Sequence, residues 1–468
     1  MSQPSLIWFR QDLRLSDNAA LSAAALKGPL VALYILDDET PETWRWGEAS
    51  RWWLHHSLEN LSQKIPLILR RGKADEVLPK VIKETGATSL HFSRDYAPWS
   101  GALENRIRLE CEKNNVACHR YGGFLLHEPE NIRNGSGDPY KVYTPYSRAC
   151  FAKCEPRPLK TVPNFEIYAG KVLTDNLSDW NLLPTKPNWA QGLQETWSPG
   201  EDHAQELLYK FLDEALSDYA EGRDRTDKPL TSRLSAHLHW GEISPHQIWH
   251  ATRSAMARAE GALDRGGEKF LKEILWREFS YHLLHHFPHF PDHPFKSEFA
   301  DFPWVDDDAA LKRWQQGQTG YPIVDAGMRE LWCTGIMHNR VRMIAASFLI
   351  KDLLIPWQQG ERWFWDTLVD ADIAANSASW QWVAGCGADA SPYYRIFNPT
   401  LQGEKFDPEG EYVRKWVPEL KDVPQEFIHC PWEMPTPPKA YPKRMVDHAF
   451  ARDRALEAFK RIKKDQTP

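Results

Sequence analysis

Residues 320–357 read GYPIVDAGMRELWCTGIMHNRVRMIAASFLIKDLLIPW, followed by DADIAANSASWQW at 370–382 and SPYYRIFNPT at 391–400. Apolar residues recur here at helical spacing, which predicts helices over 323–333, 339–355 and 361–368. Polar residues are set into that pattern: Asn339, Arg342, Asp370, Asp372 and Asn376, with Trp357, Trp380 and Trp382 between them. Buried polar groups are costly unless they pair with each other or with a ligand. Asn339, Arg342 and Met343 share one helical face. Asp370, Asp372 and Asn376 are expected in one short helix, with Arg342 as the natural counter-ion of an Asp. The residues alone leave two readings open, a structural Arg–Asp pair or the lining of a ligand pocket.

Upstream, the helical pattern extends back to about residue 201, with further helices expected at 203–220, 246–259 and 269–286. The first 130 residues have a different rhythm. Short apolar runs at 5–9, 30–36, 66–71, 89–94 and 117–125 alternate with helical patterns at 48–64, 73–84 and 102–114, which predicts a βαβ domain with a parallel sheet. No G-x-G-x-x-G follows the first strand, so the usual dinucleotide fingerprint is absent. The expected organisation is an α/β domain over 1–130, a Pro- and Gly-rich linker over 131–200, and an all-α domain over 201–468. A Pro-rich stretch follows Tyr412, and a last helix is expected at 445–464.

Net charge is −7, so no global basic signature marks a nucleic-acid binder, although a local basic groove is compatible with it. Twenty-two tryptophans suggest stacking, electron transfer or a large aromatic ligand, against an aromatic-rich helical core. Seven cysteines, among them Cys154, show no paired C-x-x-C spacing, which predicts a reduced chain without disulfides or a zinc site. The histidines of HHFPHFPDH (285–293) match no metal pattern, and no metal is expected. Without a signal peptide or a long apolar run, the expected location is cytoplasmic.

Two further clusters carry chemistry. Glu273, Trp276 and Arg277 fall at i, i+3 and i+4, so an acid, an indole and a guanidinium share a helical face; a surface Glu–Arg pair is the plainer reading. Thr231, Ser232, Arg233, Leu234 and Ser235 precede a helical segment and form a candidate anion cradle, where an N-cap would account for only one serine.

These motifs together carry a resemblance. TSRLSAHLHWGEISP (231–245), LWREF (275–279), the 320–343 run, DADIAANSASWQW and IWFRQDLRLSDN (7–18) are similar to the photolyase/cryptochrome family, and within it to bacterial cyclobutane pyrimidine dimer photolyases of the class III branch. The resemblance implies a non-covalent FAD, active when reduced, that splits pyrimidine dimers in DNA by light-driven electron transfer. It implies that Tyr219, Thr231, Ser232, Arg233, Leu234 and Ser235 hold the FAD phosphates and ribityl chain. Asn339, Arg342, Asp370 and Asp372 would surround its rings, and Asn376 would face flavin N5. Glu273, Asn376 and Met343 form the implied catalytic set, with Glu273 bonding a dimer carbonyl. Trp276, Met343, Trp382 and Asn339 would meet the lesion, and Arg223, Arg277 and Gln402 the DNA. Trp304, Trp357 and Trp380 match the family's electron-transfer triad. A second chromophore is implied in the α/β domain, methenyltetrahydrofolate ahead of a deazaflavin, but Trp99 and Ser100 stand where an Asn–Glu pair usually contacts folate. A monomer acting on single- or double-stranded DNA, associated with the nucleoid, is the implied state. The alternative is a cryptochrome-like photoreceptor without repair; Asn376 and the lack of a long tail after residue 464 are set against it.

Overall fold

The chain's first strand, SLIWF, and its second, LVALYIL, contain no polar alternation, and every residue of both is buried. Continuous apolar strands of this kind suit a parallel sheet covered on both faces. In the structure, a computed structural model describing residues 3–153, 155–391 and 393–464, they lie at the centre of such a sheet. The strands are β1 (Ser5–Phe9), β2 (Leu30–Leu36), β3 (Leu67–Arg71), β4 (Ser89–Ser93) and β5 (Ala117–Tyr121). All pair in parallel in the order β3-β2-β1-β4-β5. The connecting helices are α1 (Ala19–Ala25), α2 (Glu48–Lys64), α3 (Ala74–Thr85) and α4 (Ser100–Lys113). Val77 and Val81 of α3 and Leu103 and Ile107 of α4 close over Leu6, Trp8, Leu33 and Phe92.

Strand order reverses between β1 and β4, where doubly wound sheets commonly bind ligands. Here the chain fills that crevice itself. Arg10 bonds Asp95 (3.0 Å) and Glu104 (2.6 Å), while Asp12 accepts from Ser93 Oγ (2.6 Å).

By contacts the described chain forms two compact units. One holds 1–190, 197–217 and 232–288; the other holds 191–196, 218–231 and 289–468. These units do not follow the expected boundaries at 130 and 200. The expected linker runs within the first unit as far as Ala190, and it contains a helix, Tyr143–Ala152, that was expected to be irregular. Its Pro145 sits in the first turn, where no N–H is needed, so a residue that reads as a breaker is tolerated.

Gly241 shows how closely the first unit is packed. It adopts φ +65°, and a Cβ there would lie 2.0 Å from the carbonyl oxygen of Gln11.

The second unit is helical: Pro322–Thr334, Asn339–Ser347, Trp357–Thr367 and Ile373–Ala384 lead a series that ends in His448–Lys464. Two expected helices are shorter than read. The one expected over 203–220 stops at Glu214, and the one over 339–355 passes at Phe348 into a π-helical turn ending at Asp352. Among the described residues no helix is long and apolar enough to cross a membrane. The six described cysteines are free thiols; Cys154 lies outside the described residues.

Candidate functional site

In the helical unit, Arg342 is held from two sides. Its Nε donates to the Met337 carbonyl (2.8 Å), and its Nη2 donates to both oxygens of Asp370 (2.9 and 3.1 Å). The pair anticipated from sequence is therefore made, and Nη1 is left over for another acceptor. Asp370 does not lie inside a helix as expected. It precedes the Ile373–Ala384 helix, which Asp372 caps by accepting from Ala375 N (2.8 Å). An acid in that position satisfies an otherwise orphaned helix N–H.

One turn into that helix, Asn376 Nδ2 donates to the Glu361 carbonyl (3.0 Å), which turns its own carbonyl oxygen away from the Trp357–Thr367 helix. Glu361 was not among the residues picked from sequence. It is 1% exposed, accepts from Ser377 Oγ, and burial pushes its carboxyl up to about 8. Its side chain is thus neutral at neutral pH, beneath the helix that carries Asn376.

Trp380 and Trp357 are both buried. Trp380 lies against Gly360, where a Cβ would sit 2.1 Å from its Cη2, and meets Phe364 edge-on at 5.0 Å. Trp304 is half-buried and packs on Phe302 at 4.4 Å. Among the residues expected at the lesion and DNA, Met343, Trp382, Gln402 and Arg223 are half-buried and Asn339 is exposed. Arg395 lies over the Trp382 ring at 5.7 Å, and Arg223 over buried Tyr219 at 5.9 Å.

In the first unit, the Asp264–His286 helix carries Glu273 beside Lys269 Nζ (3.2 Å). Trp276 is covered by a residue that sequence reasoning missed: Tyr143 stacks on it with centroids 3.6 Å apart. Arg277 corrects an expectation. Its side chain is only 12% exposed, its Nη1 donates to the Phe124 carbonyl (3.0 Å), and its guanidinium lies over the Phe124 ring at 4.3 Å. Held inward by these contacts, it does not present its charge on an open face with Glu273 and Trp276. His282 and His286 are likewise tied to backbone, at Tyr140 N (3.0 Å) and Pro129 O (3.3 Å).

The 231–235 stretch is built on a left-handed Arg233 (φ 55°), whose guanidinium covers the Trp197 ring at 4.4 Å. Thr231, Arg233 and Ser235 are exposed, Ser232 is half-buried and Leu234 is buried. Ser235 does not cap the helix that follows, since Leu234 holds the cap position. Ser100 is fully buried with its hydroxyl on Asp95, so it is committed inside the α/β fold.

A guanidinium with a spare N–H, an oriented carboxamide and a carboxylate on adjoining elements suit the polar edge of a flat heteroaromatic ring. Exposed hydroxyls around a left-handed turn suit phosphate oxygens. The first set lies in the second unit and most of the hydroxyl set in the first, and each by itself suits its part of a flavin dinucleotide.

Comparison with known proteins agrees with this chemistry. Residues 5–164 match the family described as DNA photolyase, and residues 270–461 match the FAD binding domain of DNA photolyase. A deoxyribodipyrimidine photo-lyase of Agrobacterium fabrum is 48% identical over 98% of each chain. Cryptochrome-2 of Arabidopsis thaliana is 36% identical, matching 100% of this chain and 80% of its own. A crystal structure of a bacterial class III photolyase from Agrobacterium tumefaciens, 47% identical, covers 99% of this chain and 98% of that one with a TM-score of 0.95.

Proposed function

The chain belongs to the photolyase/cryptochrome family, and from that premise we infer that it is a deoxyribodipyrimidine photo-lyase that uses light to split cyclobutane pyrimidine dimers in DNA. The observation that carries this is the near end-to-end likeness to photo-lyases, including the class III structure. FAD is the cofactor, and when bound in reduced form it supplies the excited electron that opens the dimer and takes the electron back.

The chain's own residues bind, orient and exclude water. Tyr219, Thr231, Ser232, Arg233, Leu234 and Ser235 hold the dinucleotide's phosphates and chain. Arg342, kept in place by Asp370 and Met337, would offer its spare Nη1 to the ring edge, with Asn339, Asp372 and the Asn376 carboxamide as the other residues that would hold the ring. The apolar surroundings of Glu361 keep that region free of a buried negative charge. Glu273 hydrogen-bonds a carbonyl of the dimer. Trp276, Met343, Trp382 and Asn339 receive the extruded lesion, whose removal from the stack costs less than that of an intact step. Arg223 and Gln402 contact the strand; Arg277, committed to Phe124, is left out of this set. Trp304, Trp357 and Trp380 conduct an electron inward when the cofactor is oxidised.

A second chromophore occupies the α/β domain, methenyltetrahydrofolate ahead of a deazaflavin, by contacts other than Trp99 and Ser100. The enzyme works as a monomer in the cytoplasm, on the nucleoid through its DNA. The second reading, a photoreceptor without repair, is favoured by the likeness to Cryptochrome-2. Dark binding separates the two: a photo-lyase holds dimer-containing single strands more tightly than undamaged ones, with affinity that falls as salt rises. Equal binding to both strands would support the photoreceptor.

A further inference from the structure

We propose that His55, His56 and Glu59 form a binding site for a divalent transition-metal ion of the zinc type. All three lie on α2 of the α/β domain, an element to which the light chemistry assigns no residue. One ligand atom from each lies within 4.8 Å of the other two. Ligand atoms around a tetrahedral zinc stand roughly 3.3 Å apart for bonds of about 2 Å. Glu59, with 58% of its side chain open to solvent, has room to change rotamer towards a bound ion.

The present geometry is already halfway to coordination. His56 Nδ1 and Glu59 Oε2 face each other at 3.4 Å, a long contact that a bridging cation would replace. His55 Nδ1 and His56 Nε2 are both buried and without a protein partner. A buried ring nitrogen left unsatisfied is costly, so His55 gains from a ligand at Nδ1, while His56 offers the Nδ1 that already faces Glu59. The rings are fixed by packing. They meet at 79° with centroids 5.2 Å apart, and His56 stands edge-on to Trp52 at 4.7 Å, so little side-chain entropy remains to be lost on binding.

The donor set is two imidazoles and one carboxylate, which suits zinc and its neighbours over magnesium or calcium. Three protein ligands leave a coordination position for water. The sequence signal is His55-His56-Ser57-Leu58-Glu59, with His55 and Glu59 one helical turn apart. This differs from the familiar zinc spacings, which use paired cysteines or H-E-x-x-H.

The test uses the full-length flavin-loaded protein, freed of metal by a chelator. Zn²⁺ is titrated by calorimetry, and Co²⁺ is added as a spectroscopic probe. One saturable equivalent of Zn²⁺ is expected, with a ligand-field band from Co²⁺ and a Zn²⁺-dependent rise in Tm. Glu59→Gln, a change at an exposed position that leaves the fold intact, and His55→Ala should each abolish the band and weaken Zn²⁺ binding at least tenfold. Absence of a saturable equivalent in the parent protein, or uptake unchanged in Glu59→Gln, would overturn the assignment.

Discussion

Tyr143 lies flat on Trp276, with ring centroids 3.6 Å apart and planes 8° apart, and its hydroxyl donates to the Lys272 carbonyl at 2.6 Å. The indole assigned to the lesion is thus fixed on one side before DNA arrives. An aromatic pair of this kind contributes about 1 kcal/mol, roughly fivefold in affinity. Tyr143→Ala should weaken binding of dimer-containing DNA by about that factor without loss of bound FAD, whereas Tyr143→Phe should retain most of it. Titrating both variants with labelled damaged strand in the dark measures the difference, and equal affinities would remove the role.

Gly360 exists at its position because Trp380 occupies the space of its side chain. A Cβ there would lie 2.1 Å from Trp380 and 2.7 Å from Leu349 Cδ2. The helix-propensity gain of Ala over Gly is about 1 kcal/mol, smaller than the typical 1–3 kcal/mol cost of overpacking once the ring has to be displaced. Gly360→Ala should therefore lower the urea midpoint and disturb Trp380 fluorescence. An unchanged midpoint would mean that the ring moves aside freely.

Glu361 gives a pH dependence with a definite sign. Its carboxyl is raised from an ordinary 4.5 to about 8 by burial. Between those values the folded protein keeps a proton that the unfolded chain releases, so unfolding becomes easier as pH rises from about 4.5 to about 8. Stability from this group is full below the lower value and lost above the upper. Glu361→Gln, neutral at every pH, should flatten that slope in urea unfolding between pH 6 and pH 8.5. An equally steep slope in the variant would assign the effect elsewhere, for instance to Glu278, which burial raises to about 7.

Trp304 is the half-buried member of the proposed electron route, and Trp357 and Trp380 the buried ones. Trp304→Phe should slow light-driven reduction of the oxidised protein at least tenfold while leaving repair by pre-reduced protein intact. Photoreduction at the parental rate would refute the assignment of Trp304.

Much of this arrangement was legible from residues alone, for identifiable reasons. β1 and β2 matched their expected bounds because a parallel strand buried on both faces reads as an unbroken apolar run. The Arg342–Asp370 pair could be anticipated because two opposite charges among apolar residues have few other ways to be satisfied. Tyr143 was missed because its helix lies in a Pro-rich stretch and starts with Tyr-Thr-Pro. Glu361 was missed because WQQGERWFW has the periodicity of an ordinary amphipathic helix, which does not reveal that this acid faces inward. Arg277 shows the complementary limit. Helical spacing put it near Glu273 and Trp276, but only tertiary packing brings its guanidinium onto Phe124.

In the proposed function this chain turns light into dimer repair. The most direct measurement is loss of cyclobutane dimers from single-stranded DNA by pre-reduced protein, illuminated and dark, with Glu273→Ala alongside. Light-dependent restoration by the parent chain is expected, with none in the dark and a reduced yield from Glu273→Ala with its FAD still bound. Illuminated, fully reduced, flavin-loaded protein that leaves the dimers intact would contradict that function.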